Sequence, residues 1–172
     1  MSTGDEEIIN KVAMSGLITL DLEDYFHHGE RVEYDIAQHL FQGLILKEKD
    51  FRDFIKGHDW SQYQDKNIFI TCSADAIVPT WAYMLLTSRF SPYAHMIIFG
   101  GREELEGALF REALAKIPLE EYRNAKLVIK GCGKYPVPAS AYVEISRLLT
   151  PVVQSLMYGE PCSTVPVFKK SK

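Results

Sequence analysis

The second half of the chain alternates short apolar segments with segments of helical periodicity. The strand-like segments are Ile68 to Cys72, His95 to Phe99 and Lys126 to Lys130, and the helical ones are 79–89, 102–117, 139–149 and 151–158. Such alternation is typical of β-α-β units and predicts a parallel sheet with right-handed crossovers. Because the strands are apolar nearly throughout, we expect all three in one sheet with helices on both faces.

The first half predicts antiparallel additions to this sheet. Apolar residues at helical spacing indicate helices over residues 5–15 and 48–56, and residues 43–46 form a short apolar run. Two strand-like segments, 17–22 and 31–36, flank His27-His28-Gly29 with the spacing of a hairpin loop. The fold class predicted is therefore α/β, a mixed sheet in a single domain over residues 1–172, with no internal repeat.

Composition excludes several classes of protein. The 172 residues carry a net charge of −4, whereas nucleic-acid binding needs a basic face. No apolar run reaches the length of a transmembrane helix, so we expect no membrane partner. Residues 1–7 include three acidic side chains where a signal peptide would be basic, which predicts a cytoplasmic protein.

Three cysteines, Cys72, Cys132 and Cys162, are the most specific clue to function. Stable disulfides are rare in the cytoplasm, and all three cysteines lie in loops rich in glycine or proline. Cys72 ends one predicted parallel strand and Cys132 follows another, and ligands gather at the carboxyl ends of such strands. We therefore predict a metal site of three thiolates with Asp75 as an oxygen ligand, holding zinc or an iron–sulfur cluster.

Cys162 joins this site only if the chain folds back after the helix over 139–149. A break at Thr150-Pro151, followed by a helix to Tyr158, would return it to the same edge. The sulfur atoms would then lie about 3.5–4 Å apart, as tetrahedral thiolates around one zinc require. The alternative is a homo-oligomer in which Cys162 reaches the edge of a second subunit.

Other interpretations of these residues stay open. Asp75 has the residue type of a helix N-cap, and the cysteines could be structural. Lys130 and Lys134 flank Cys132 and favour its thiolate, so we predict that Cys132 reacts with an alkylating agent below about pH 8.5. His27 and His28 lie among acidic residues, but adjacent strand residues point to opposite faces and do not converge on a metal.

Five segments carry a resemblance to a known family. They are residues 21–25 (DLEDY), 43–52 (GLILKEKDFR), 70–83 (ITCSADAIVPTWAY), 130–132 (KGC) and 159–166 (GEPCSTVP). The chain resembles the bacterial family catalogued as domain of unknown function 2480 over nearly its whole length. The resemblance implies iron–sulfur assembly proteins as partners, because members are encoded beside sulfur-mobilisation proteins, and it assigns no residue a role.

Three functions follow as hypotheses. The first is an accessory protein of iron–sulfur cluster assembly that binds a metal or a cluster through its cysteines. The second is a thiol-dependent enzyme of sulfur or acyl transfer, with Cys132 as the nucleophile. The third is a non-catalytic interaction protein whose cysteines are structural.

Overall fold

A computed structural model describes residues 16–171 and confirms the α/β class. Its strands are β1 (Leu17–Asp21), β2 (Arg31–Asp35), β3 (Leu40–Phe41), β4 (Ile45–Leu46), β5 (Asn67–Thr71), β6 (Met96–Phe99), β7 (Lys126–Lys130), β8 (Ser155–Glu160) and β9 (Ser163–Lys169). Its α-helices are α1 (Glu48–Gly57), α2 (Thr80–Phe90), α3 (Arg102–Leu114) and α4 (Ala139–Leu149). The helix predicted over 5–15 lies outside the described residues. Within 16–171, no helix has both the length and the apolar character needed to cross a bilayer.

Contacts within the chain group it into two compact units. The central unit (residues 27–110) holds a parallel sheet of order β2-β5-β6 and the antiparallel pair β3-β4. The terminal unit (residues 16–26 with 111–171) holds a sheet of order β1-β7-β8-β9, in which β9 alone runs antiparallel to its neighbour. The mixture of parallel and antiparallel strands is as predicted, whereas the single domain stays a prediction.

The predicted pairing of the strands is wrong in two places. β5 and β6 are parallel neighbours, but β7 belongs to the other sheet. β1 and β2 do not form a hairpin, since β1 pairs with β7 and β2 with β5. β1 is followed by a 3-10 turn and not by a hairpin loop, because Asp21 accepts a hydrogen bond from the backbone N–H of Glu23 and caps this turn; Asp35 caps a similar turn after β2.

The bend predicted at Thr150-Pro151 is present, but the helix predicted after it is wrong. α4 ends at Leu149, the chain turns, and β8 follows from Ser155. β8 pairs parallel with β7, and its Leu156 is buried in the terminal unit. An apolar segment as short as β8 can form a helix or a strand, and its pairing with β7 makes it a strand.

The two units are copies of one structural repeat, so the expectation of no internal repeat is wrong. β5, α2 and β6 begin at residues 67, 80 and 96, and β7, α4 and β8 begin at 126, 139 and 155, always 59 residues later. Asp65 and Asn124, also 59 residues apart, both have positive φ, and so do Gly100 and Gly159. Over the segment from β5 to β6 and its counterpart from β7 to β8, the two copies therefore align without a gap, whereas β1 and β2, which begin at residues 17 and 31, do not share this offset.

The same packing positions recur in both copies. Ala82, Leu86 and Phe90 of α2 are fully buried. Their counterparts in α4, Ala141, Ile145 and Leu149, are fully buried as well. Each helix therefore uses the same face, at spacings of four residues, to cover its own sheet.

Candidate functional site

The candidate site lies at the carboxyl end of β7 in the terminal unit. Gly131 and Cys132 follow the last residue of this strand, and Cys132 is exposed. Its Sγ lies 3.1 Å from the hydroxyl of Tyr158 and 3.7 Å from the hydroxyl of Tyr142. β8 supplies Tyr158 and α4 supplies Tyr142, so the β-α-β unit itself brings the sulfur and the two phenols together.

Both phenols are suited to donate hydrogen bonds to the sulfur. Burial, and then the hydrogen bond with Cys132, raises the pKa of Tyr142 far above its ordinary value. The hydrogen bond with Cys132 and the charge of its thiolate raise the pKa of Tyr158. The phenols therefore keep their protons near neutral pH, and hydroxyl donors stabilise a deprotonated sulfur.

Two glycines and a carboxylate hold the loop in place. A Cβ on Gly131 would lie 2.8 Å from the Tyr142 hydroxyl, so only glycine allows this close approach. A Cβ on Gly133 would lie 2.9 Å from a carboxylate oxygen of Glu23. That carboxylate accepts hydrogen bonds from the backbone N–H groups of Gly133 and Lys134, the latter at 2.8 Å. Consecutive N–H groups that converge on an anion fix the backbone of the loop directly after Cys132.

Lys130 links the carboxyl ends of three strands. Its Nζ lies 3.1 Å from Asp21 of β1 and 3.9 Å from Glu160 of β8. The hydrogen bond to Asp21, and then the charges of Asp21 and Glu160, raise the pKa of Lys130, which therefore stays protonated. The other flanking cation, Lys134, lies over the ring of Tyr135 at 5.1 Å. Both lysines thus have partners of their own, and the predicted reactivity of Cys132 stays a prediction.

An apolar groove of about 690 Å³ begins at the two tyrosines. Tyr142 and Tyr158 line it, and their hydroxyls also contact the sulfur of Cys132, so the thiol is a neighbour of the groove although Cys132 is not one of its lining residues. The remaining walls come from β7, α4, β8 and β9 and the loop before α4: Ile129, Val137, Ala139, Val143, Ser146, Leu156, Met157 and Val167. Among the residues that the structure describes, the lining contains no charged side chain, which suits an apolar occupant.

The other predicted ligands have different environments. Cys72 is half-buried, packs against the core of the central unit, and has its Sγ 3.5 Å from the carbonyl oxygen of Ala74. Asp75 is exposed in the loop before α2; its reading as an N-cap is wrong, because Pro79 precedes the helix. Cys162 is exposed in the two-residue turn between β8 and β9. Across residues 16–171, no three histidine, cysteine or acidic side chains form a group that could hold a metal.

The repeat changes which residues correspond to one another. At the offset of 59 residues, the counterpart of Cys132 is Ser73, and Cys72 takes the place of Gly131. Ser73 donates its hydroxyl hydrogen bond to Asp35, and its backbone N–H lies 3.0 Å from the same carboxylate. The two loops therefore occupy equivalent positions in the repeat but differ in chemistry. The thiol of Cys132 contacts two tyrosine hydroxyls, whereas the hydroxyl of Ser73 donates a hydrogen bond to the carboxylate of Asp35.

Analysis of the sequence missed Tyr142, Tyr158 and Glu23. A motif that occurs twice could have indicated Tyr142. In both α2 and α4, a Val-Pro pair precedes the helix and a tyrosine, Tyr83 or Tyr142, follows four residues after the proline. Tyr158 was hidden by the helix predicted over 151–158. No local pattern connects Glu23 with the loop that follows β7, because more than a hundred residues separate them.

Comparison with known proteins identifies the family. No curated protein and no solved structure matches the chain. A family model described as "Protein of unknown function (DUF2480)" matches residues 6–170, which confirms the resemblance found in the sequence. The chain therefore belongs to the DUF2480 family.

Proposed function

We propose that Cys132 is a nucleophilic thiol that accepts an acyl group, with the apolar acyl chain in the neighbouring groove. The observation that carries the proposal is the contact of the exposed Cys132 with the hydroxyls of Tyr142 and Tyr158, which line a groove that has no charged side chain among the described residues. This is the transfer function expected from the sequence as an alternative, narrowed to acyl groups by the apolar lining.

The proposed step is the exchange of one thioester for another. The thiolate of Cys132 attacks the carbonyl carbon of a thioester, a new S–C bond forms, and the S–C bond to the leaving thiolate breaks. The leaving thiolate takes up the proton that Cys132 lost, so the step needs no oxidant or reductant. A thiolate is the reactive form of cysteine, and the hydroxyls of Tyr142 and Tyr158 lie within hydrogen-bonding distance of the sulfur of Cys132.

The groove accounts for the proposed selectivity among acyl chains. An acyl chain bound to the sulfur of Cys132 extends past the two tyrosines into the groove, where Val143, Leu156 and Met157 line its path. Each buried methylene contributes about 0.8 kcal/mol, so longer chains gain affinity until the groove is full. The expected substrates are therefore thioesters of medium-length fatty acids rather than acetyl thioesters.

The test is acylation by octanoyl and acetyl thioesters of N-acetylcysteamine, followed by intact-mass and peptide mass spectrometry. Cys162 is an internal control, because it is also an exposed thiol of the terminal unit but, unlike Cys132, is not hydrogen-bonded to Tyr142 or Tyr158, which line the groove. We expect Cys132 to be acylated faster than Cys162, and by octanoyl faster than by acetyl. Cys132→Ser should abolish this reaction, and Cys162→Ser should leave it intact.

One further variant, Val143→Asp, tests the groove itself. Val143→Asp places a charge in the lining at an exposed helix position, and we expect it to remove the preference for octanoyl. Equal acylation of Cys132 and Cys162, or the same rate for both chain lengths, would contradict the proposal.

The zinc or iron–sulfur site of Cys72, Cys132, Cys162 and Asp75, with iron–sulfur assembly proteins as partners, is a second proposal. It is favoured by the exposure of Cys132 and Cys162, which leaves both sulfur atoms accessible to a metal. Metal analysis of untagged protein purified without oxygen tests it. One zinc or one cluster per chain, lost in each cysteine-to-serine variant, would support this role over acyl transfer, and metal-free protein would count against it.

A further inference from the structure

The two copies of the repeat differ at one edge of their sheets. In the terminal unit, β9 pairs antiparallel along β8. In the central unit, the counterpart of β8 is β6, which has β5 on one side and no strand of the described residues on the other. The same repeat thus has a covered edge in one copy and an open edge in the other.

The side chains along these edges reflect the difference. Leu156 of β8 is buried, whereas its counterpart Ile97 of β6 is only partly buried. Tyr158 is 40% exposed and its counterpart Phe99 is 70% exposed. The open edge therefore leaves apolar surface in water that the added strand helps to cover in the other copy.

The outermost strand of the terminal unit carries the features that protect an edge. β9 contains Pro166 and ends at Lys169, and its register shifts between Leu156 and Met157 of β8. Proline, lysine and irregular register are the devices by which natural sheets avoid pairing with further strands. β6, Met-Ile-Ile-Phe, has none of them. An unprotected apolar edge is typical of a strand that is paired in the functional assembly.

We propose that β6 pairs antiparallel with β6 of a second copy of the chain about a two-fold axis. β6 contains no charged residue, so the same edge on two copies meets itself without like-charge repulsion. Antiparallel pairing is also what the equivalent edge of the terminal unit shows. The axis stands perpendicular to the sheet and keeps each face continuous, so Ile97 or Ile98 lies opposite its own counterpart.

The dimer extends the buried surface beyond the backbone pairing. Met84 of α2 and Phe99 are both exposed apolar residues, and they correspond to Val143 and Tyr158, which line one groove in the terminal unit. Tyr83 contacts Phe99 with ring centroids 5.2 Å apart, which fixes Phe99 on the α2 side of the sheet. In the dimer, Phe99 packs against the apolar edge of the second copy. This inference is independent of the acyl site, whose residues belong to the terminal unit.

The test is sedimentation equilibrium of the full chain, wild type against Phe99→Lys. Phe99 is exposed, so the lysine is compatible with folding of the subunit, but it places a charge in the apolar contact with the second copy. We expect a wild-type dimer and a dissociation constant raised about tenfold or more in Phe99→Lys, the effect of about 1.4 kcal/mol. Leu44→Lys, which replaces another exposed apolar residue in the turn between β3 and β4, should leave the dimer intact.

Hydrogen exchange gives a second readout that does not depend on the variant. The outward-facing amides of β6 should exchange slowly in concentrated wild-type protein and faster on dilution or in Phe99→Lys. A wild-type monomer at every concentration, or a dimer that Phe99→Lys leaves unchanged, would overturn the proposal. Dissociation by Leu44→Lys as readily as by Phe99→Lys would overturn it as well, because the interface would then not be β6.

Discussion

Replacing Gly131 by alanine should destabilise the terminal unit and disturb the thiol at once. The added methyl group would lie 2.8 Å from the Tyr142 hydroxyl, 3.1 Å from Cβ of Leu22 and 3.2 Å from a methyl of Val137. Leu22 is fully buried and cannot retreat, so the tyrosine must move away from Cys132. Overpacking of this kind costs about 1–3 kcal/mol. The loss of chain entropy in the unfolded state offsets about 0.4–1 kcal/mol of that, so we expect a net loss of about 1–2 kcal/mol.

Gly57→Ala is the matched control. A methyl group there meets nothing within 4 Å, and Gly57 ends α1, so we expect a gain of up to about 1 kcal/mol. Urea unfolding should be followed by far-UV circular dichroism, because Trp60 and Trp81 both belong to the central unit and do not report on the terminal one. Alkylation of Cys132 by iodoacetamide should slow in Gly131→Ala, since one donor to the sulfur is displaced. Equal midpoints for both variants, with unchanged alkylation, would refute the reasoning.

Three further predictions concern single contacts. Tyr158→Phe should slow the alkylation of Cys132 by about threefold to tenfold near neutral pH, because it removes the nearer donor to the thiolate, while Cys162 in the same protein should react as before. Glu106→Gln should cost about 3 kcal/mol, seen by tryptophan fluorescence in urea, since it removes the buried carboxylate charge that lies 2.8 Å from Arg31; a loss under 1 kcal/mol would contradict this. Burial, and then repulsion from a neighbouring histidine, lowers the pKa of His39, so the unfolded chain takes up a proton first as the pH falls below 6.5. The stability of the central unit should therefore decline from pH 7 to pH 5, and a His39→Gln variant that declines just as steeply would show that another group is responsible.

Local sequence patterns determined most of the elements of this fold. The apolar run at β5 and the four-residue spacing of Ala82, Leu86 and Phe90 in α2 depend on neighbours in the chain, so the sequence alone predicts them. The end of α4 before Thr150-Pro151 was predictable for the same reason, since proline cannot continue the helix that precedes it. The position of Cys132 just past β7 followed from the same local reasoning.

Strand pairing was decided only by the tertiary structure. The register of β1 on β7 joins residues more than a hundred positions apart, and no local periodicity states which distant strand completes a sheet. For that reason the sequence predicted one sheet for β5, β6 and β7, whereas β7 belongs to a different sheet, and it missed a repeat whose copies share structure more than residue identity. The same holds for β8: the sequence of a short apolar segment does not distinguish a helix from a strand, and the hydrogen bonds with β7 make this segment a strand.

The candidate site divides in the same way. The sequence singled out Cys132 with the flanking Lys130 and Lys134, because a cysteine between two glycines at the end of a predicted strand can be recognised from its neighbours in the chain. The groove and the phenols of Tyr142 and Tyr158 exist only when α4 packs on β7 and β8, so no spacing in the chain could reveal them. The sequence thus singled out Cys132, and the packing of α4 on the parallel strands β7 and β8 decided what surrounds it.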